Sequence, residues 1–298
     1  MAEAIAQAEP SATPTPELVW QLDALLGEGP AWMPDEGALW FVDIKGGKLH
    51  RFHPQTGTRE TIETGGQPSF VVGCEDGGLI VGSDSCIHRV EAGRLGAVLA
   101  PIPQPAHNRT NDATVDASGR LWVATMDDHE ERETGSLWCL EAGTLRHAGT
   151  SAVVTNGPAV TADGCTLYRV NSGERRITRH AMSDSGELDA GELFVQLKPS
   201  EGHPDGIVLD SENCIWVGLW DGWGVRRYAP DGTLLLHVPL PSARVTKVAF
   251  GGPDLKTVYV TTARIGLDEE ALARQPLAGG LFAFAAPAPG LPLPKVRL

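Results

Sequence analysis

The stretch HPDGIVLDSENCIWVGLWDGWGVRRYAP, residues 203–230, decides the fold. It runs from an apolar segment (GIVLD) through a polar turn (DSENC) into a second apolar segment (IWVGL). After a glycine-rich break comes VRRYAP, in which apolar and polar side chains alternate as a half-buried strand requires. The middle of this unit recurs. DEGALWFVD (35–43), EDGGLIVGS (75–83), DASGRLWVAT (116–125), ADGCTLYRV (162–170), DSENCIWVGL (210–219) and GPDLKTVYVTT (252–262) each pair a polar turn with a short apolar strand. Their first apolar strand residues, Leu39, Leu79, Leu121, Leu167, Ile215 and Val258, are separated by 40, 42, 46, 48 and 43 residues. Each is followed by an alternating strand: LHRFHP, IHRVEA, LWCLEA, ITRHAM, VRRYAP and LFAFAA. Each is preceded by an apolar run, so the unit holds three legible strands and a fainter fourth.

Four-stranded units at this spacing, repeated six times, predict an all-β chain folded as a six-bladed β-propeller. A sandwich of similar strands is the competing arrangement, and the regular step argues against it. Closing the ring needs a strand from one terminus to complete a blade built from the other. ELVWQL (17–22) is assigned to that role beside residues 281–286. Residues 1–17, rich in Ala, Pro and Thr, read as a loose tail, and residues 18–298 as one propeller domain.

Composition narrows the function. The 298 residues include 35 glycines and 22 prolines, suited to frequent turns and not to long helices. With 24 Lys and Arg against 38 Asp and Glu, the net charge of −14 repels phosphate backbones and anionic lipid, so neither nucleic acid nor membrane is an expected partner. No apolar run is long enough to span a bilayer, and the first residues lack the basic start and apolar core of a secretory signal. Five cysteines, odd in number and without a C-x-x-C pair, point to a reducing cytoplasm and leave open only a single pair such as Cys74 with Cys86. No motif for a nucleophile elbow, a zinc protease, a P-loop or a dinucleotide site is present.

The repeat also locates the chemistry. In a propeller the innermost strands line a central channel and their starts converge on one end of it. Ten or eleven positions before the anchors stand Glu28, Ser69, Asn111, Asn156, Asp205 and Lys247, all polar and all followed by buried sequence. Two carboxylates and two amide oxygens at one channel mouth call for a neutralising cation. Oxygen donors suit a hard divalent ion and argue against a structural zinc site. The expected ligands are Glu28, Asn156 and Asp205, with Asn111 either ligating or facing a substrate. Asn156-Gly157 and Asp205-Gly206 also have the form of turn dipeptides. The hairpin turns of the repeat, such as Asp76-Gly77 and Asp163-Gly164, nevertheless lie three or four residues before their anchors. Arg109, two residues before Asn111, shares its side of an extended strand. The acidic loop DDHEERETG (127–135) is placed near the mouth. His129 and His203 lie near it as well, and Trp220 and Trp223 are positioned to flank a ligand or to pack.

At these residues the chain resembles the SMP-30/gluconolactonase/regucalcin-like family of six-bladed propellers, over about residues 18–298. LGEGPAW, FVDI, NRTNDATVDASGRLWVATM, TNGPAVTADGCTLY, HPDGIVLDSENCIWVGLW and VTKVAFGGPDLKTVYVTTAR carry the resemblance in register. FVDIK, GGPDLKT and PLAGG are closest to bacterial sugar lactonases of the xylonolactonase-like or arabinonolactonase-like kind. The resemblance implies metal ligation by Glu28, Asn156 and Asp205 and substrate contact by Arg109 and Asn111. It puts His129 where some members carry a carboxylate. The implied reaction is hydrolysis of a small-molecule sugar aldonolactone, with Asp205 assisting water attack and Lys247 supporting the oxyanion. The cation stays open among calcium, manganese, magnesium, zinc and ferrous iron. The sequence is silent on oligomeric state. Two other readings remain: a non-catalytic divalent-cation-binding regulatory propeller, and a propeller phosphotriesterase or arylesterase.

Overall fold

The computed structural model describes residues 13–298 except 92 and 150, so the first twelve residues of the expected tail lie outside the described residues. Six antiparallel four-stranded sheets follow one another around a ring. The innermost strands are Gly27–Met33, Pro68–Gly73, Asn108–Val115, Thr155–Val160, His203–Leu209 and Val245–Gly251. They contact one another in sequence, and Val245–Gly251 meets Gly27–Met33 to close the circle. Each anchor residue lies at or next to the start of the second strand of its blade. The expected six-bladed propeller is therefore what the chain forms.

Burial decreases outward and explains which strands were legible. In the first blade, Gly27–Met33 and Ala38–Asp43 are wholly buried, whereas the fourth strand, Thr58–Glu63, is almost wholly exposed. An exposed edge strand has no need of apolar alternation, so its sequence carries no period. The N-terminal strand Glu17–Trp20 pairs antiparallel with Leu281–Ala285 and completes the sixth blade, with Leu18 opposite Phe282. Glu17 thus belongs to the propeller and not to the tail. Between blades five and six the core is aromatic: Trp216 meets the Phe250 ring edge-on at 5.6 Å and packs with Val248 and Phe282. Such pairs hold neighbouring blades beyond what area burial alone supplies.

The C-terminal segment crosses the end of the ring where the innermost strands finish. Gly290 pairs with Asp210, Val296 lies parallel to Cys74, and the Arg297 backbone donates to Gly119 O at 2.9 Å. Five thiols are free, so the Cys74–Cys86 pair is not made. Among the described residues no helix is long and apolar enough to cross a membrane. The α-helix Glu269–Arg274, capped by Asp268, spans only six residues.

Every innermost strand is irregular at one place. Its register against the second strand shifts between Glu28 and Ala31, Pro68 and Phe70, Thr110 and Ala113, Asn156 and Ala159, Pro204 and Ile207, and Val245 and Val248. A bulge leaves a residue out of the ladder and re-aims its side chain. Here it does so at Ser69, Asn111, Asp205 and Lys247, and immediately after Glu28 and Asn156, which keep their ladder partners Val42 and Val170. The glycines beside them serve this geometry. Gly29 has φ +53° and a Cβ there would come within 2.8 Å of Phe70 Cα. Gly157 has φ +68° and would press on Ile207. The Glu-Gly and Asn-Gly pairs are thus strand bulges against the next blade, not hairpin turns.

Candidate active site

A cavity of about 460 Å³ opens at the starting end of the innermost strands. Glu28, Asn111, Asn156 and Asp205 lie on its floor, each at least nine-tenths buried, and Arg109 lies beside them. The structure therefore brings together five of the seven expected site residues, drawn from blades one, three, four and five.

The polar contacts of these residues are uneven. Arg109 donates from Nε to Asp128 Oδ1 at 2.7 Å and from Nη1 to Asn111 Oδ1 at 2.7 Å. Asn111 donates from Nδ2 to Thr155 O at 3.0 Å and to Asn156 Oδ1 at 2.7 Å. Asn156 in turn donates to Ser172 Oγ at 3.0 Å. The two amides are thereby locked across the blade boundary. The oxygen of Asn111 is turned towards the guanidinium, and that of Asn156 keeps a lone pair for another partner. The carboxylates are left nearly bare. Glu28 accepts one hydrogen bond, from Gly29 N at 2.7 Å, and Asp205 accepts none among the described residues.

Buried carboxylates without partners resist ionisation. Burial first, then the neighbouring Asp112, push the Glu28 carboxyl up to about 8. Burial, followed by the charges of Glu28 and Asp112, pushes Asp205 well above the ordinary carboxylate range. The nearby cations Lys247 and Arg109 offset this only in part. Two bare carboxylates and an amide oxygen, all oxygen donors facing one cavity, fit a hard divalent ion. Among the described residues no three His, Cys, Asp or Glu side chains are placed so that they could hold a metal ion, so a third protein oxygen for such an ion would come from an amide.

Two expected residues stand elsewhere. Lys247 does not line this cavity. Its ammonium is bonded to the Asp112 carboxylate and to Ala113 O at 3.3 Å. Both Asp112 and Lys247 border a second cavity, of about 540 Å³, under the C-terminal segment. This buried ion pair occupies the ammonium, although Lys247 stays close enough to Glu28 and Asp205 to favour their ionised forms. His129 is exposed and also absent from the cavity wall. The position beside Arg109 belongs instead to Asp128, which further accepts from Lys45 Nζ at 2.6 Å and Gln67 Nε2 at 3.2 Å. Burial raises the Asp128 carboxyl, but the hydrogen bonds from Lys45 and Arg109 outweigh it and hold it at about 2.

Ser69 packs within the wall, donating to Thr110 Oγ1 at 2.7 Å. His203 lines the cavity, fixed between Ser172 O at 2.8 Å and Arg175 Nη2 at 2.9 Å, and Trp220 lines it as well. Trp223, by contrast, is 46% exposed. The acidic loop does reach the mouth, through Glu130 and Glu133. Asp112 and Asp128 were not singled out from the sequence. The only signal for them was position: each directly follows a residue or strand already tied to the mouth.

A six-bladed propeller whose channel mouth gathers oxygen donors from several blades defines a class, and comparison gives the family. The family model described as SMP-30/Gluconolactonase/LRE-like region matches residues 26–264, and the chain belongs to that family. It is 36% identical over 275 residues to the 6-deoxy-6-sulfogluconolactonase of Pseudomonas putida, covering 90% of this chain and 93% of that one. It is 36% identical over 280 residues to the pentonolactonase XacC of Haloferax volcanii, with the same coverages. Among solved structures, the calcium-binding protein regucalcin from Agrobacterium tumefaciens superposes with a TM-score of 0.91. That match is 28% identical and covers 96% of this chain and 98% of the other.

Proposed function

We propose that the chain is a sugar lactonase, hydrolysing a pentono- or glucono-lactone to its aldonic acid with one divalent cation held by Glu28, Asn156 and Asp205. The observation that carries this reading is Asp205: a carboxylate buried on the floor of an open cavity, with no hydrogen bond and with Glu28 across from it. Such a group is costly to the fold and is retained where chemistry uses it. Lactonase names among the relatives support the reaction class.

Glu28, Asn156 and Asp205 would hold the divalent ion, which would supply Lewis acidity at the lactone carbonyl. Asp205, facing the same space, takes a proton from the water that adds to the carbonyl carbon. It returns that proton to the ring oxygen as the C–O bond opens, so lactone and water give the hydroxy acid. Arg109 keeps Nη2 free of protein acceptors among the described residues. With its other nitrogens tied to Asp128, Thr110 and Asn111, Nη2 is the donor left for a ring hydroxyl. No covalent nucleophile is required. A cytoplasmic setting is part of the same reading.

The test is acid release in weak buffer by metal-stripped protein, offered pentono- and hexono-lactones with single divalent ions restored. Release that depends on the ion and disappears in Asp205→Ala is the expected result. Ion binding by calorimetry without release above the spontaneous rate supports instead a non-catalytic cation-binding propeller. Preferential turnover of an aryl ester or phosphotriester supports the esterase reading.

A further inference from the structure

Among the described residues Arg109 is the only lysine or arginine lining the cavity, and its guanidinium is paired with a carboxylate. Asp128 stands 2.7 Å from its Nε. The same carboxylate oxygen takes the Lys45 ammonium at 2.6 Å, and Gln67 holds the other oxygen. The side chains of Asp128 and Lys45 are each about three-quarters buried and that of Arg109 is almost fully so, and exchange with water weakens such a pair little. Beyond this knot the rim carries Glu130 and Glu133, which form no salt bridge among the described residues, and Glu174, which is tied to Arg176 at 2.6 Å. On the lactonase reading, a divalent ion balances Glu28 and Asp205 on the floor. Around the rest of the cavity the knot of Arg109, Lys45 and Asp128 then carries a single net positive charge, against the two carboxylates of Glu130 and Glu133.

On that reading, we infer that Asp128 is a specificity-determining residue. By engaging Nε of Arg109 and offsetting one of the two positive charges that Arg109 and Lys45 bring together, it leaves the guanidinium as a donor to hydroxyls, and the site accepts lactones whose exocyclic carbon is uncharged while rejecting those bearing phosphate or sulfonate. The low pKa of Asp128 agrees with this, since the carboxylate stays ionised throughout the working range. A site built for an anionic lactone needs the opposite arrangement, a guanidinium free for bidentate pairing with the anion. The relative named for a sulfonated gluconolactone, at 36% identity, leaves room for such a difference at the rim. Discrimination by charge is a difference of two affinities, and here the repulsive half is visible in Glu130 and Glu133.

The experiment compares kcat/KM for D-glucono-1,5-lactone and its 6-phosphate, each corrected for spontaneous opening, in the holoenzyme at low and high potassium chloride. The expected preference for the neutral lactone is about 100-fold or more at low salt, shrinking as salt screens the rim. In Asp128→Asn, which removes the charge and keeps the size, that preference falls about tenfold, through faster turnover of the phosphorylated substrate. Glu130→Gln with Glu133→Gln, at exposed positions where folding is not at risk, narrows it several-fold by the same route. Wild-type turnover of the phosphorylated lactone at an equal or higher rate overturns the inference while leaving the lactonase reading intact. A preference unchanged in Asp128→Asn removes Asp128 from the role. Absence of turnover with either lactone and any divalent ion overturns both.

Discussion

Asp205 and Asp210 sit five residues apart, one near the start of the innermost strand His203–Leu209 and the other just past its end, and both are buried. Asp210 is 0% exposed and accepts four hydrogen bonds: from Glu212 N at 2.9 Å, Cys214 N at 3.0 Å, Trp216 Nε1 at 2.9 Å and Arg227 Nε at 2.7 Å. Blade three repeats the device. Asp116 accepts from Ser118 N, Arg120 N, Arg120 Nε and Trp122 Nε1. Asp205 has none of this and stands against two further carboxylates. In blades three and five the polar turn of the repeat therefore holds a satisfied carboxylate that ties a hairpin to the core, while the mouth holds carboxylates in want of a partner. Burial alone does not separate structural from functional acid residues; the count of partners does.

That contrast is broken or sharpened by exchanging the two phenotypes. Asp205→Asn is expected to lower kcat by about 10³-fold, as loss of a general base and ligand together would. The same variant should melt no lower than the metal-free parent, because a neutral amide is easier to bury than a bare carboxylate. Asp210→Ala should do the reverse. Leaving Arg227 buried with only Glu212 beside it costs about 3 kcal/mol or more, a fall in Tm of roughly 5 °C or more for a domain of this length, with near-parental activity per folded molecule. Activity and melting measured on both variants decide the matter. If Asp205→Asn melts far below the parent and Asp210→Ala keeps its Tm, the distinction is wrong.

A smaller effect is expected from pH. Folded Glu28 titrates at about 8, above its ordinary 4.5, so between those values the folded state binds more protons than the unfolded one. Stability of the metal-free protein must then fall as pH rises through that window. A saturating divalent ion should reverse the slope, since it binds the ionised form. Glu28→Gln should flatten it. Chemical denaturation of stripped protein at pH 5, 6.5 and 8 reads the sign directly, and a rise in stability over that range contradicts the arrangement.

The ring at the mouth was legible because its cause is periodic. Each blade places a bulge at a near-constant distance before its second strand, so counting back from Leu39, Leu167 or Ile215 reaches Glu28, Asn156 or Asp205 without any knowledge of the third dimension. The closing strand was legible because ELVWQL is apolar and has no partner nearby in sequence. Pairings between blades were not. Lys247 reads as a channel residue, yet its ammonium is bonded to Asp112, 135 positions away, and Lys247 does not line the cavity at the mouth. The knot of Lys45, Gln67, Asp128 and Arg109 joins three blades and obeys no spacing rule. Fourth strands were faint for the opposite reason, since exposed edges such as Thr58–Glu63 are under no pressure to alternate.

The smallest expected effect concerns one residue of register. In the turn after Leu121–Asp127, Asp127 accepts from the backbone nitrogens of His129, Glu131 and Arg132 at 3.2, 3.0 and 2.8 Å. That cap fixes the turn so that Asp128 points to Arg109 while His129 faces solvent. A residue expected at the substrate is thus displaced by its neighbour, because the cap and not strand alternation sets the direction of the side chains. His129→Ala removes no contact with Arg109 or the cavity, and KM for the lactone should stay within about twofold, in the range of ordinary surface substitutions. Asp127→Ala, which undoes the turn, should raise KM more than His129→Ala does, through the loss of Asp128 from Arg109. Equal effects of the two variants on KM would show that His129 itself reaches the substrate and that the turn opens when a ligand binds.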